Sequence, residues 1–207
     1  MNKLIFKPFY SKRAFLLFFA ISIVIIGCSQ KITGKTTGQI PNEIAQNPEV
    51  YFCPKEDCSK VLEDIIKSAN FSVHCALYDI SLKNVISALA IKSKTADVML
   101  VMDSSNYKNQ TKGDGIRLDD NNQLMHNKFC VIDGKIVITG SFNPTDNDNN
   151  YNNNNIVIIY SNRLAKNYED EFDELKNGEF GQGNKVKNPI MYINNMVIGT
   201  FYINYKL

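Results

Sequence analysis

Between Glu49 and Asp103 the apolar pattern switches period four times, and no other feature narrows the fold as much. "EVYFCP" (49–54) reads as a short strand. "EDCSKVLEDIIKSA" (56–69) then places Val61, Leu62, Ile65 and Ile66 at helical spacing, with acidic residues near its start. "FSVHCALYDI" (71–80) returns to a strand pattern, and "SLKNVISALAIKS" (81–93) carries a second helical stripe of Leu82, Val85, Ile86 and Leu89. The nearly all-apolar "DVMLVMD" (97–103) completes the series. Strand, helix, strand, helix, strand implies parallel pairing through right-handed crossovers, so the class is α/β.

Downstream, Ser104 to Leu124 is polar and turn-rich, and reads as a loop with a short strand near Ile116. "NKFCVID" (127–133) and "KIVITG" (135–140) form two strands joined at Asp133-Gly134, a strong hairpin signal. The asparagine-rich "NPTDNDNNYNNNN" (143–155) is expected to be a polar loop before the buried strand "IVIIY" (156–160). "NRLAKNYEDEFDELKN" (162–177) closes the core as a helix with Leu164, Tyr168, Phe172 and Leu175 inward. The tail, 178–207, alternates like a hairpin in its second half.

Lys3, Lys7, Lys12 and Arg13 precede the 13-residue apolar stretch "AFLLFFAISIVII" (14–26), interrupted only by Ser22, then Gly27 and Cys28. A basic start followed by a short apolar core is the pattern of an export signal, and 13 residues fall short of the roughly 20 that span a bilayer. Ile25-Ile26-Gly27-Cys28 resembles the lipobox of bacterial lipoproteins, in which the cysteine carries the lipid; an uncleaved N-terminal anchor is the other reading. Either way residues 1–27 are a signal peptide or membrane anchor, 28–48 a flexible tether, 49–177 the main folded domain and 178–207 a C-terminal extension. The domain is expected outside the cytoplasm and tethered to the membrane.

Without the four basic residues of the signal, residues 28–207 hold 19 Lys+Arg against 21 Asp+Glu. This balance removes any global electrostatic case for nucleic-acid binding, so phosphate attraction has to be local, from residues such as Lys108, Lys112 and Arg117. Cys53 and Cys58 lie close enough for a disulfide in an oxidising compartment. A zinc site is the alternative, but it needs two more ligands, and His74 and Cys75 point to opposite faces of a strand. Cys75 and Cys130 sit among apolar neighbours and are expected to be small core residues.

The chemistry concentrates in "MHNKFCVIDGKIVITGSFNPT" (125–145), which contains one of the two histidines. In an extended chain His126 and Lys128 project to one side while Asn127 and Phe129 face the other. A nitrogen nucleophile or proton carrier beside a fixed cation suits phosphate chemistry. His126-x-Lys128, four residues, Asp133-Gly134 and then Gly140-Ser141-x-Asn143 resembles the HxKxxxxDG signature of the phospholipase D superfamily, with supporting context from about Val50 to Lys176. Its single copy resembles the small bacterial endonucleases and mitochondrial cardiolipin hydrolase-like nucleases, which pair two subunits to complete one active site.

That resemblance implies a mixed β-sheet flanked by helices on both faces, a homodimer joined through the active-site face, and neither cofactor nor metal. It implies that His126 attacks phosphorus to form a phosphohistidine and that the partner subunit's His126 protonates the leaving oxygen. Lys128 and Asn143 would hold phosphate oxygens, Ser141 would support them, and Asp133 would fix the site's hydrogen-bond geometry. One position departs from the pattern: Asn154 stands where the family carries a glutamate that orients the histidine. Asparagine can still accept a hydrogen bond but has no charge to offer an imidazolium. The implied activity is metal-independent phosphodiester hydrolysis on nucleic acid, with membrane phospholipid, or phosphate binding without turnover, as the alternatives.

Overall fold

The computed structural model describes residues 42–109, 115–194 and 196–199, the last four by backbone alone. The export segment, Cys28 and Lys112 lie outside the described residues. In chain order the elements are β1 (Asn42–Glu43), β2 (Glu49–Cys53), α1 (Cys58–Ser68), β3 (Ser72–Leu77), α2 (Lys83–Lys92), β4 (Asp97–Met102) and β5 (Ile116–Leu118). Then follow β6 (Lys128–Ile132), β7 (Ile136–Gly140), α3 (Asp146–Asn150), β8 (Asn154–Tyr160), α4 (Asn162–Lys176), β9 (Ile190–Ile193) and β10 (Met196–Gly199). No helix among the described residues is long and apolar enough to cross a membrane.

Seven strands form one mixed sheet in the order β2-β8-β7-β6-β3-β4-β5. The α/β class expected from the alternating periods holds, and β3, β4 and β5 pair in parallel. The first strand behaves differently from the sequence expectation: β2 does not pair with β3 but lies on the far edge, antiparallel to β8. The tight antiparallel run β6, β7, β8 occupies the space between them. β3 pairs with β6 and β2 with β8, although each of these partners lies farther along the chain than β2 and β3 lie from each other.

Helices cover both faces. On one, Leu62 and Ile66 of α1 and Val85 and Leu89 of α2 bury against Val73, Cys75, Leu77, Cys130 and Ile132. On the other, Leu164, Phe172 and Leu175 of α4 pack on Val101, Phe129, Val131 and Val137. The inward helical stripes follow the spacing seen in the sequence, because residues three and four apart share one side of a helix. The asparagine-rich stretch is not wholly a loop. Thr145 accepts the Asp148 N–H at 3.3 Å and starts the single turn of α3.

Two features correct the sequence reading. Cys75 and Cys130 are buried as expected but are not free thiols: they face each other on β3 and β6 with Cα atoms 4.1 Å apart and form a disulfide. Their separation of 55 residues hides this, since only sheet pairing brings them together. Cys53 and Cys58 form a second disulfide, which consumes the thiols of the zinc alternative. The stretch read as a tether is anchored at its end: Asn42 and Glu43 pair with β9. The Glu43 carboxylate accepts from the Asn162 and Arg163 amides at the start of α4, where a negative charge is favoured. β9 and β10 form an antiparallel hairpin within the C-terminal extension.

Candidate active site

The parallel strands β3 and β4 end together, with Leu77 opposite Met102 and, across the antiparallel pair, opposite Lys128. The carboxyl ends of parallel strands beside such a change of direction form the usual crevice of an open α/β sheet. His126 and Lys128 lie here. Asn127 and Phe129 turn to the α4 side, where Asn127 reaches Glu171 and Phe129 packs edge-on against Tyr168. His126 and Lys128 face the opposite way and share one aromatic neighbour, Tyr78. Its ring meets the His126 ring edge-on at 4.5 Å, and the Lys128 Nζ sits 4.7 Å from its centroid. Lys128 Nζ also donates to the His126 carbonyl at 3.0 Å, and the Tyr78 amide donates to the Asn127 carbonyl at 2.9 Å.

His126 is exposed at the rim. Partial burial, and then the charge of Lys128, hold its imidazole below its ordinary value, with Asp103 opposing. The shift favours the neutral form, which offers a nitrogen lone pair. Burial also lowers Lys128, while Asp148 and Asp103 pull it back toward the ammonium form.

The Gly140–Asn143 segment leaves β7 beside the start of β8, since Gly140 pairs with Ile156. Gly140 has φ 150°, and a Cβ there would run into the Asn155 carbonyl, so the close approach requires glycine. Ser141 Oγ lies 3.0 Å from both Asn154 Oδ1 and Asn155 Oδ1 and accepts from the Asn155 amide at 3.2 Å. Asn154 is thus joined to Ser141. The Asn143 amide and its Nδ2 both donate to Asp148 Oδ2 at 2.8 Å.

Asp133 lies elsewhere. It occupies the hairpin turn at the other end of β6, with φ 53° at Asp133 and 61° at Gly134, the signature of a type I′ turn. Five residues of strand at roughly 3.3 Å each put it about 16 Å from Lys128. Its carboxylate accepts from the amides of Asn70, Phe71 and Ser72 at 2.7–3.1 Å. The expected role in the site's hydrogen-bond geometry is therefore corrected: Asp133 ties the end of α1 to the sheet. Arg117 is not a free loop cation either, because it lies in β5 and pairs with Asp120 at 2.8 Å.

Three residues at the site escape sequence reasoning. Tyr78 follows a strand, as many ordinary tyrosines do. Asp103 ends the apolar β4, where a carboxylate is a recognisable signal; it is 2% exposed and accepts the Met125 amide at 3.2 Å, holding the chain just before His126. Asp148, inside an asparagine run, carries no signal at all. Among the described residues no cluster of three or more metal-ligating side chains occurs.

Residues 62–176 match the family model described as cardiolipin synthase, PLD-like domain. A phospholipase D of Rickettsia typhi is 30% identical over 139 residues, covering 62% of this chain and 68% of that protein. The Rickettsia prowazekii phospholipase D is 31% identical over 132 residues, with 64% of its length spanned. The mitochondrial cardiolipin hydrolase of Xenopus tropicalis is 38% identical over a shorter stretch, 32% of this chain and 31% of that one. Among solved structures, Nuc from Salmonella typhimurium, a phospholipase D family member, superposes with a TM-score of 0.57 at 24% identity, covering 67% of this chain and 96% of Nuc. NucT from Helicobacter pylori gives 0.55 at 19%, covering 64% and 96%. With the family model spanning more than half of its residues and the motif at the sheet end where the fold gathers the strand termini, the chain belongs to the phospholipase D superfamily.

Proposed function

We propose that the protein hydrolyses phosphodiester bonds without a metal, through a phosphohistidine on His126, and that its substrate is nucleic acid. The observation that carries this reading is the exposed His126 imidazole and the Lys128 ammonium sharing Tyr78 as a common neighbour. The neutral imidazole attacks phosphorus and the P–O bond to the leaving group breaks. Lys128 and Ser141 stabilise the charge on the non-bridging oxygens. One His126 cannot serve as nucleophile and leaving-group acid in the same step, so the partner subunit's His126, in its protonated form, donates to the leaving oxygen in a two-fold dimer. Water then attacks the phosphohistidine and gives its proton to the imidazole that protonated the leaving group, so the P–N bond breaks, the phosphomonoester leaves and both histidines return to their starting forms. The compact single-motif domain, which resembles the small bacterial endonucleases, supports a nuclease. Phospholipid is the second reading, supported by the names of the Rickettsia relatives and by Leu124, 60% exposed two residues before His126. A lipid on Cys28 would hold the site near headgroups.

The test incubates the full chain, in mild detergent and chelator, with single-stranded DNA, RNA, duplex DNA and mixed phospholipid vesicles. His126→Ala and Lys128→Ala are expected to lose at least about 100-fold in turnover while unfolding like the wild type. Cleavage of lipid alone would overturn the nuclease assignment, and full activity of His126→Ala would remove the mechanism. Strong inhibition by chelator would remove metal independence, and an active monomer in sedimentation would remove the dimer.

A further inference from the structure

Asp148 is 7% exposed and sits in the short α3, yet its carboxylate is turned toward the site. Oδ2 accepts both the backbone amide and the Nδ2 of Asn143 at 2.8 Å, and Oδ1 accepts from Asn152 Nδ2 at 2.8 Å. A carboxylate only accepts, so the Asn143 side chain must present its NH2 to Asp148 and its oxygen elsewhere. That oxygen, Asn143 Oδ1, is buried with no hydrogen-bond partner. A buried acceptor without a donor is costly, which makes it a place where a donor is expected when the site is filled. The resemblance implies that Asn143 holds a phosphate oxygen, and donating to one would need its NH2 free of Asp148.

The charge of Asp148 also reaches Lys128. The titratable groups around that ammonium are Tyr78 beyond β3, Asp103 beyond β4, His126 on its own segment and Asp148 on α3. Asp103 is already bound by Ser105, Asn106 and Met125. Asn154 and Asn155, beside Ser141, are neutral.

We propose that Asp148 is a positioning residue of the active site: its carboxylate, bonded to both nitrogens of Asn143, fixes that side chain with its oxygen free to accept a donor in the filled site. The inference rests on the phosphodiesterase reading above. In it Asn143 serves as an acceptor for the Lys128 ammonium once substrate arrives, and phosphate contact falls to Lys128 and Ser141.

The experiment compares wild type, Asp148→Asn and Asp148→Glu in two readouts. The first is the pH profile of kcat/KM on a chromogenic phosphodiester. The second is the pH dependence of Lys128 acylation by an amine reagent, read by peptide mass spectrometry, which needs no turnover. Asp148→Asn is expected to lower kcat about 10-fold with little change in KM, and to move both the alkaline limb and the Lys128 titration down by at least about 0.5 unit. Asp148→Glu, which keeps the charge, is expected to retain the wild-type titration. A residue that merely stabilises α3 would lower the unfolding midpoint and leave kcat and both titrations in place, and that result would overturn the proposal. So would an equal shift in Asp148→Glu. Should Asp148→Asn fail to fold, Asp148→Ser removes the same charge and is read the same way. If wild-type turnover proves independent of His126, the phosphodiesterase reading has failed; if turnover needs His126 but neither kcat nor either titration moves, only the role of Asp148 has.

Discussion

Asp133 belongs to the signature motif, and the structure makes it a support for the fold. Replacing it therefore has a distinctive expected outcome. Its carboxylate gathers the amides of Asn70, Phe71 and Ser72, which link the end of α1 to the start of β3. Hydrogen bonds to a charged group contribute roughly 1.5–3 kcal/mol each when buried, but the Asn70 and Phe71 amides are at the surface and count for less. Asp133→Asn keeps one acceptor oxygen and the tolerance for positive φ, so the expected loss is about 1–2 kcal/mol. Asp133→Ala removes every acceptor and puts a residue that resists left-handed backbone at φ 53°, so about 3–4 kcal/mol is expected.

Urea unfolding of the oxidised protein measures both. At an m-value near 2 kcal/mol/M the Asn variant should lose about 0.5–1 M in midpoint with m unchanged. The pH dependence has a definite sign. Burial raises the Asp133 carboxyl, but the amides of Ser72, Asn70 and Phe71 more than offset it, and the folded value lies below the ordinary 3.8. A depressed folded value means the stabilisation is fully present above 3.8 and is lost as pH falls through the folded value. The gap between wild type and Asp133→Asn should therefore close in that acid window. In the folded variants turnover should remain within a few-fold of wild type. An Asp133→Asn protein that unfolds like wild type but has lost turnover would refute the reasoning and return Asp133 to the catalytic set.

Replacing both Cys75 and Cys130 with alanine removes a cross-link closing 55 residues, and equilibrium unfolding should show a loss of about 2–4 kcal/mol; an unchanged midpoint would mean the pair does not stabilise the sheet. Tyr78→Phe keeps the ring that both His126 and Lys128 touch and should retain most turnover, whereas Tyr78→Ala should lose about 10-fold or more through the cation–π contact and the lost orientation of His126. Because burial and Lys128 depress His126, the acid limb of kcat/KM should lie below 6.5; a limb above that value would show that the imidazole is stabilised in its charged form instead. Asn154→Glu tests the departure from the family pattern: a raised acid limb with higher kcat would show that a carboxylate at this position still reaches His126.

Periodicity and turn chemistry are local, and they made the α/β class, the inward faces of α1, α2 and α4, and the Asp133-Gly134 hairpin legible. The same-side placement of His126 and Lys128 was legible too, because alternation along an extended chain is a property of two neighbouring residues and needs no partner. Sheet order is different. β2 joins the far edge, antiparallel to β8, and no pattern within 49–54 records a partner about 100 residues away. The Cys75–Cys130 bond follows from the register of β3 against β6, and Asp133 is removed from the site by the length of one strand. Tyr78 and Asp103, just beyond β3 and β4, and Asp148 on α3 gather around Lys128 only when the strand ends converge. The sequence by itself determined which residues could do the chemistry. The tertiary structure alone decided which charges and amides surround them, because electrostatic and hydrogen-bond partners are set by distance in space, and that distance is fixed only when the sheet closes.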